Sequence, residues 1–233
     1  MSASAGKTSR FTSVIFDFDY TLADSSPGVI ECANHALKEM DLPPGGAEAI
    51  RETIGLSLAA TYQRLTSGCY GDRSDEFKRL FLERADQVML EGIRLFDSAR
   101  PVVAALRAEG IGLGIVSTKY RSRIEQALQR DGLGDVFAVV VGAEDVGEHK
   151  PDPAGLNAAM GKLGATPAEV LYVGDSAVDA EAAQRAGVPF AAVLTGVTPR
   201  EAFEAYRPFA VIEDLGSLAA IVLEGDCGEE TGA

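Results

Sequence analysis

Ser-Val-Ile-Phe-Asp-Phe-Asp-Tyr-Thr-Leu, at residues 13–22, is an apolar run that ends in two carboxylates one residue apart. The apolar residues 14–16 are typical of a buried strand, which places Asp17 and Asp19 at its carboxyl end. Open α/β sheets bind their ligands at that end of the strands. Because two adjacent acids repel each other there unless a cation offsets their charge, the pair indicates a divalent metal. Aspartates are also common in turns, so this interpretation depends on the rest of the chain.

Length, charge and cysteine content narrow the class of protein. At 233 residues the chain can form one medium domain or a domain with an insert. The formal net charge of -14 disfavours nucleic acid and anionic membranes as partners, since both reward clustered Lys and Arg. The widely spaced Cys32, Cys69 and Cys227 indicate neither a disulfide framework nor a zinc site. With no apolar segment typical of a signal peptide or a membrane span, we expect a soluble protein of the cytoplasm.

A helical block interrupts the chain after the first strand. Helical patterns cover residues 25–40, 47–53, 56–66 and 74–90, and Ser25 or Ser26 can cap the first of them. We therefore predict a core domain over residues 1–24 and 97–233 and a helical cap domain over residues 25–96. The polar residues 225–233 are expected to form a disordered tail.

Strands and helices alternate through the second half of the chain. The predicted strands are 112–116, 137–141, 170–173, 190–193 and 210–212, and the predicted helices are 101–109, 121–130, 153–163, 177–186 and 215–223. Such alternation is typical of a parallel sheet with helices on both faces. The predicted fold class is α/β, with a Rossmann-like, doubly wound parallel sheet as the core and an inserted helical bundle as the cap.

Polar residues follow four of the predicted strands. Beyond the first pair of aspartates, these are Ser117 and Thr118 after the second core strand, Lys150 in a loop after the third, and Asp175 after the fourth, with Asp179 further on. Parallel strands deliver all of these residues to one edge of the sheet.

With these segments in this order, the chain resembles a haloacid-dehalogenase-superfamily phosphohydrolase with a helical cap between its first and second motifs. The four motifs are Asp17-Phe-Asp19-Tyr-Thr21, Ser117-Thr118, Lys150 in His-Lys-Pro-Asp-Pro153, and Gly174-Asp175-Ser-Ala-Val-Asp179. The resemblance runs over nearly the whole chain. The motifs are specific as a set, although none is specific alone.

The resemblance implies a role for each carboxylate. Asp17 is expected to be the nucleophile that forms an aspartyl-phosphate, and Asp19 the general acid and then the general base. Mg2+ is expected to bind the carboxylates of Asp17 and Asp175 and the backbone carbonyl of Asp19, with Asp179 ligating the metal or orienting a water on it. Oxygen ligands of this kind suit Mg2+.

The resemblance also implies a phosphate site. Ser117 would offer its hydroxyl and Thr118 its backbone N–H to the phosphate oxygens, beside the start of a helix. Lys150 would supply positive charge to the phosphate and to the nucleophile in the transition state.

Four residues are candidates for substrate choice: Tyr20, Thr21, Arg51 and Gly55. Tyr20 stands where the superfamily most often has glycine, and its side chain can project toward the cap to shape the site. In similar caps, a loop with glycine near position 55 faces the active site.

The implied function is an Mg2+-dependent phosphatase that acts on a small phosphorylated metabolite, similar to phosphoglycolate phosphatases, with 2-phosphoglycolate as the first candidate substrate. An inorganic pyrophosphatase, or a sugar-phosphate phosphatase or mutase of the same superfamily, is the alternative because the core residues are shared. A non-catalytic phosphate-binding protein is disfavoured because none of the motif residues is lost. We expect a monomer or a homodimer.

Overall fold

A six-stranded parallel sheet forms the centre of the molecule. The computed structural model describes residues 9–224, so Cys227 and the tail expected at residues 225–233 lie outside the described residues. The strands of the sheet are β1 (Ser13–Phe16), β4 (Gly112–Val116), β5 (Val139–Val141), β6 (Val170–Gly174), β7 (Phe190–Val193) and β8 (Ala210–Ile212). Their order is β5-β4-β1-β6-β7-β8, and every neighbouring pair is parallel.

Strand β1 lies inside the sheet and is buried on both faces. Val14 pairs in register with Leu113 of β4 and Leu171 of β6. Val14 and Phe16 pack into one hydrophobic core, whereas Ile15 packs into a second core on the opposite face. A strand covered on both faces needs apolar residues at every position, which explains the uninterrupted run at 14–16.

Helices cover both faces of the sheet, which confirms the predicted doubly wound α/β core. Helices α5 (Ala99–Ala108), α6 (Arg121–Arg130) and α9 (Leu218–Glu224) contribute to the core that contains Phe16. Helices α7 (Ala154–Leu163) and α8 (Ala177–Ala186) contribute to the core that contains Ile15.

Four further helices stand between two short strands. These helices are α1 (Ser26–Glu39), α2 (Ala47–Arg51), α3 (Leu58–Thr66) and α4 (Ser74–Gly92). The chain leaves the sheet through β2 (Ala23–Asp24) and returns through β3 (Arg94–Leu95), and these two strands pair antiparallel. The helical insert is therefore attached by two adjacent connections, while its limits as a separate domain stay a prediction.

Helices α1 and α4 approach closely beside these connections. A Cβ atom on Gly92 would lie 2.7 Å from both Cα and N of Gly28, and one on Gly28 would lie 2.9 Å from Sδ of Met89. Two glycines therefore allow the end of α4 to lie against the start of α1. The aromatic rings of Tyr62, Phe77 and Phe81 fill the space between α3 and α4.

Several element boundaries differ from those that the sequence predicts. The strand expected at 137–141 begins at Val139, and the helix expected at 215–223 begins as a 3-10 turn at Leu215–Ser217, where the Asp214 carboxylate accepts the N–H of Gly216. Further 3-10 turns at Ala143–Asp145, Pro167–Glu169 and Arg200–Tyr206 were not predicted, since short turns leave little periodicity in a sequence. None of the helices in the described part of the chain combines the length and the hydrophobicity that crossing a membrane requires.

Candidate active site

The carboxyl ends of three neighbouring strands carry Asp17, Ser117 and Asp175. The backbone N–H of Asp17 donates to Val173 of β6 at 2.8 Å, and that of Ser117 donates to Val141 of β5 at 3.0 Å. The hydrogen-bonding pattern of the sheet thus continues into the first residue after each of these two strands. All three side chains are buried, so the polar residues gather in a closed crevice at the sheet edge.

Three carboxylates meet in this crevice. Asp17, Asp175 and Asp179 each offer an oxygen, and these oxygens all lie within 4.8 Å of one another. The three residues are 2%, 5% and 0% exposed, respectively. Buried charges of one sign at this spacing repel strongly, so the cluster requires compensating positive charge.

Lys150 supplies one positive charge to the cluster. Its Nζ lies 3.0 Å from Oδ1 of Asp17 and 2.5 Å from Oδ1 of Asp179, and it donates to the hydroxyl of Tyr172 at 3.1 Å. Burial by itself lowers the pKa of Lys150, but the charges of Asp17 and Asp179 outweigh that effect and raise it above its usual value. Lys150 is therefore a permanent cation within the site.

One lysine does not neutralise three carboxylates, so the pKa values of two of the acids are raised. Burial, together with the charges of Asp179 and Asp19, raises the pKa of Asp17 to about 7 even though Lys150 acts against it. Burial, with the charges of Asp179 and Asp17, also raises the pKa of Asp175 well above its usual value. The protein alone therefore favours a proton on the cluster near neutral pH, and a bound cation would displace it.

The cluster fits a divalent metal ion. Within the described residues, Oδ1 of Asp17 is buried and accepts no hydrogen bond, although Lys150 lies nearby. Its surroundings consist of hard carboxylate oxygens, the donor type that Mg2+ prefers. The excess negative charge and the unsatisfied oxygen are both accounted for by a cation at this position.

Asp179 is held by the start of helix α8. Its Oδ2 accepts the backbone N–H of Ser176 at 3.2 Å and the Ser176 hydroxyl at 2.6 Å, while the Ser176 hydroxyl oxygen accepts the N–H of Asp179. Oδ1 accepts the hydroxyl of Tyr172 at 2.8 Å. A Cβ on Gly174 would lie 2.6 Å from Cβ of Asp179, so only glycine leaves room for this side chain at the end of β6.

Asp175 also packs closely against a glycine, Gly196. A Cβ on Gly196 would lie 1.9 Å from Oδ2 of Asp175. The hydroxyl of Thr21 lies 3.4 Å from Oδ1 of the same carboxylate. Thr21, a candidate for substrate choice, thus lies beside the carboxylate cluster.

Asp19 has its own buried partners, which sequence analysis did not identify. Lys119 Nζ lies 3.0 Å from Oδ1 and 3.1 Å from Oδ2 of Asp19, and the Ser25 hydroxyl also donates to Oδ1. Lys119 and Ser25 are 8% and 0% exposed. Ser25 precedes helix α1 as predicted, but its hydroxyl bonds to Asp19 and not to the helix N-terminus. The one signal for Lys119 in the sequence was its position directly after Ser117-Thr118.

The loop after β4 contacts the helical insert. The Thr118 hydroxyl donates to the backbone carbonyl of Gly55 at 3.1 Å, and Gly55 has a φ of 95°, in the region that favours glycine. Ser117 is buried, and its hydroxyl oxygen accepts the N–H of Lys119 at 3.3 Å. The loop that contains Gly55 therefore lies directly over the residues proposed to bind phosphate.

The two remaining candidates for substrate choice differ in position. Tyr20 is 6% exposed and has a φ of 58°, which is unfavourable for a residue with a side chain and fits the frequent use of glycine at this position in the superfamily. Its backbone carbonyl accepts the hydroxyl of Thr195. Arg51, at the end of α2, forms an ion pair with Glu48 on the surface of the insert.

The arrangement combines the parts needed to transfer a group that carries negative charge. It contains a buried carboxylate, Asp17, beside a permanent cation, and a second carboxyl group, Asp19, one residue further along the chain. The carboxylate cluster can hold a metal ion, and hydroxyl and N–H donors lie at the next strand end. Such sites stabilise charge that develops on an acyl or phosphoryl group.

Comparison with known proteins shows the family of the chain. Residues 14–193 match the model of the family described as haloacid dehalogenase-like hydrolases. The chain is 31% identical over 209 residues to a phosphoglycolate phosphatase from Yersinia pseudotuberculosis, which covers 88% of this chain and 90% of the relative.

Solved structures share the fold. A protein from Bacteroides fragilis assigned to the haloacid dehalogenase-like hydrolases superposes with a TM-score of 0.86 and 41% identity, over 89% of this chain and 99% of that one. A protein from Haemophilus somnus, predicted to be a phosphoglycolate phosphatase, superposes with a TM-score of 0.82 and 26% identity, over 92% of this chain and 99% of that one.

Proposed function

Because the chain belongs to the haloacid dehalogenase-like hydrolase family, we propose that it is a metal-dependent phosphatase of a small phosphorylated metabolite, with 2-phosphoglycolate as the first candidate substrate. One observation carries the proposal. Asp17 lies buried at a strand end within 3.0 Å of Lys150, in a cluster with Asp175 and Asp179 that suits a divalent cation. The fold alone would not support the proposed phosphatase function, since one fold hosts many functions.

In the first step, Asp17 attacks the substrate. A carboxylate oxygen of Asp17 forms a bond to phosphorus, the bond between phosphorus and the ester oxygen breaks, and Asp19 gives its proton to that oxygen as the alcohol leaves. The products of this step are an aspartyl-phosphate and a free alcohol. Lys150 stabilises the negative charge on Asp17 and on the phosphoryl oxygens during the transfer.

In the second step, water hydrolyses the aspartyl-phosphate. Asp19, now a carboxylate, removes a proton from the water as its oxygen bonds to phosphorus, and the bond to Asp17 breaks. Inorganic phosphate leaves and both carboxyl groups return to their starting states. Lys119 and Ser25 fix the orientation of the Asp19 carboxyl group through both steps, since both side chains form hydrogen bonds to it.

We propose Mg2+ as the metal, held by the carboxylates of Asp17 and Asp175 and the backbone carbonyl of Asp19, with Asp179 as a further ligand or an orienting group. When bound, Mg2+ reduces the repulsion between the anionic nucleophile and the anionic phosphate. Asp179 already accepts hydrogen bonds on both oxygens, which favours an orienting role for it.

Ser117 and Thr118 are proposed to bind the transferring phosphate. The Ser117 side chain is buried at the end of β4, and the backbone N–H of Thr118 follows it directly. The Thr118 hydroxyl already donates to Gly55, which leaves its backbone N–H as the group for phosphate. Contact between this loop and the insert supports a substrate small enough to be enclosed between them.

The test is phosphate release from a panel of substrates by the purified protein, with Mg2+ and with a chelator. The panel comprises 2-phosphoglycolate, inorganic pyrophosphate, glucose 6-phosphate and β-glucose 1-phosphate, and kcat/KM is compared across it. We expect release that requires Mg2+ and favours 2-phosphoglycolate. Metal-dependent release that favours pyrophosphate or a sugar phosphate would replace the substrate and keep the mechanism, whereas release that is unaffected by the chelator would overturn the proposed metal.

A further inference from the structure

The side chain of Tyr172 lies behind the carboxylate cluster, in the core of the sheet. Tyr172 is in the middle of β6, where it pairs in register with Ile15 of β1, and it is 0% exposed. Its ring packs beside that of Phe190, with the ring centroids 6.0 Å apart. Because a packed ring on a buried strand has little freedom to move, the Tyr172 hydroxyl occupies a fixed position.

The Tyr172 hydroxyl joins two charged residues of the site. It accepts a hydrogen bond from Nζ of Lys150 at 3.1 Å and donates its own proton to Oδ1 of Asp179 at 2.8 Å. The carbonyl of Val116, at 3.4 Å, is a more distant acceptor for the same proton. Burial and the charges of Asp179 and Asp17 raise the pKa of Tyr172 well above its ordinary value, so the hydroxyl keeps the proton that it donates.

These contacts close a triangle of hydrogen bonds, because Nζ of Lys150 also donates to Oδ1 of Asp179 at 2.5 Å. Each hydrogen bond fixes one direction of the ammonium group. The bonds to Asp179 and Tyr172 therefore determine where the remaining N–H of Lys150 points. Nζ also lies 3.0 Å from Oδ1 of Asp17, so the triangle holds the ammonium beside the proposed nucleophile.

Lys150 needs such an anchor because it lies in a loop. Residues 146–153, between the 3-10 turn at Ala143–Asp145 and helix α7, form neither helix nor strand. The Lys150 side chain is nevertheless 4% exposed, and its Nζ lies 5.9 Å from the centroid of the Tyr172 ring. A side chain that a loop delivers to a site is positioned by its contacts with rigid elements, and Tyr172 on β6 supplies that contact.

We propose that Tyr172 is a positioning residue for phosphoryl transfer, whose hydroxyl holds the Lys150 ammonium so that it faces Asp17 and the transferring phosphate. This inference rests on the proposed phosphatase function and adds a residue to its machinery. Tyr172 does not touch the substrate in this scheme and acts through Lys150. A cation displaced by about 1 Å stabilises the charge of the transition state less well, which predicts a lower kcat when the hydroxyl is removed.

The experiment removes the hydroxyl and keeps the ring. Tyr172→Phe retains the packing against Phe190 and the ring beside Lys150, so it isolates the hydrogen bonds. Tyr62→Phe is the matched control, because Tyr62 is also 0% exposed and its hydroxyl donates to the carbonyl of Gly71 at 3.1 Å within the insert. Circular dichroism and thermal unfolding verify that both variants are folded, and each should lower Tm by about 2 to 4 °C.

The positioning role predicts a loss of kcat that the loss of a buried hydroxyl does not cause by itself. With the favoured substrate and saturating Mg2+, Tyr172→Phe should lower kcat at least about 10-fold and change KM by less than about threefold, since the charge of Lys150 remains. Tyr62→Phe should keep kcat within about twofold of wild type. Unchanged kcat in Tyr172→Phe, an effect confined to KM, or an equal loss in both variants would overturn the positioning role and leave the proposed function standing.

A spectroscopic measurement tests the positioning role without turnover. Buried ammonium protons held in hydrogen bonds exchange slowly with water and give a signal in proton–nitrogen NMR spectra, and the Lys150 signal is assigned by its absence from Lys150→Arg. We expect the same Lys150 signal in wild type and Tyr62→Phe, and a shifted or lost signal in Tyr172→Phe.

The spectrum also separates this inference from the proposed function. If wild type releases phosphate from no substrate of the panel, the proposed function fails, and the Lys150 signal alone decides whether Tyr172 holds the ammonium. An identical Lys150 signal in Tyr172→Phe and wild type, or no slowly exchanging Lys150 signal in wild type, would overturn the positioning role regardless of turnover.

Discussion

Nζ of Lys119 lies 3.0 Å from Oδ1 of Asp19, and both side chains are buried. The pair joins the loop after β4 to the loop after β1, so the position of the proposed acid–base group is fixed from a neighbouring strand. The Ser25 hydroxyl completes this arrangement from the first connection to the insert. Asp19 is therefore oriented by groups on both sides, as acid–base catalysis in a closed site requires.

Asp19→Asn should reduce kcat by about 10²- to 10⁴-fold and change KM by less than about threefold. An amide neither donates the proton to the leaving oxygen nor removes one from water, whereas its size matches that of Asp19 and its one oxygen can still accept hydrogen bonds from Lys119 and Ser25. Steady-state kinetics with the favoured substrate measure both constants. An effect confined to KM would contradict general acid–base catalysis by Asp19.

Asp17→Asn should abolish turnover, with a loss of at least about 10⁴-fold, because an amide does not form an acyl-phosphate. The folded structure should persist, and acid quenching followed by intact-mass analysis should detect phosphorylated wild type but no phosphorylated variant. Asp135→Asn is the matched control, because Asp135 is exposed and precedes β5, at the edge of the sheet opposite the site. Near-normal turnover by Asp17→Asn would show that Asp17 is not the nucleophile.

Asp17→Asn should also change the dependence of stability on pH. The native pKa of Asp17 is about 7 against an ordinary value of 3.8, so between these values the native state binds a proton that the unfolded state has released. The Asp17 contribution therefore disfavours the native state increasingly as the pH rises from about 4 to about 7. Replacing Asp17 removes this contribution, and the stability of Asp17→Asn relative to wild type should increase over that range by at most about 4 kcal/mol.

Urea unfolding in the presence of a chelator, at pH 5 and at pH 8, measures this difference. The chelator is needed because a bound cation would stabilise the ionised carboxylates and mask the effect. Asp135→Asn again serves as the control and should show the same pH dependence as wild type. A stability difference that does not change between the two pH values would mean that Asp17 titrates normally.

Much of the site can be predicted from the sequence because the topology of the strands determines where its residues lie. Asp17, Ser117 and Asp175 directly follow apolar strands, and parallel strands bring such positions to one edge wherever the strands are placed in the sheet. Lys150 was predicted from the resemblance and lies 3.0 Å from Asp17. Their catalytic roles remain predictions.

Other parts of the site depend on contacts between residues far apart in the sequence, and the hydrophobic periodicity of a sequence does not predict such contacts. Lys119 and Ser25 meet at Asp19 although they are 94 positions apart, and Gly196 lies against Asp175 because of the path of the loop after β7. Arg51 was predicted to take part in substrate choice from its position in the insert. Among the described residues it forms an ion pair with Glu48, on the same helix, and its role in substrate choice stays a prediction.

Gly92→Ala should destabilise the protein by about 1 to 3 kcal/mol. The new Cβ would lie 2.7 Å from the Gly28 backbone, so α4 would have to move away from α1. Gly161→Ala, in helix α7, is the matched control because no atom lies within 4 Å of its Cβ position. The control should be neutral or stabilising by up to about 1 kcal/mol, since alanine favours a helix over glycine. Equal stability of the two variants in urea unfolding would contradict close packing at the base of the insert.

Gly196→Ala should weaken metal binding without unfolding the protein. The added Cβ would lie 1.9 Å from Oδ2 of Asp175, so the carboxylate must leave its present position in the cluster with Asp17 and Asp179. At a Mg2+ concentration 100 times the wild-type Kd, binding stabilises wild type by about 2.7 kcal/mol, and we expect the variant to lose most of this gain and at least about 30-fold in kcat/KM. Gly147→Ala is the control, because Gly147 is exposed and no atom lies within 4 Å of its Cβ position. A wild-type response to Mg2+ in thermal unfolding of Gly196→Ala would mean that the exact position of Asp175 does not determine metal affinity.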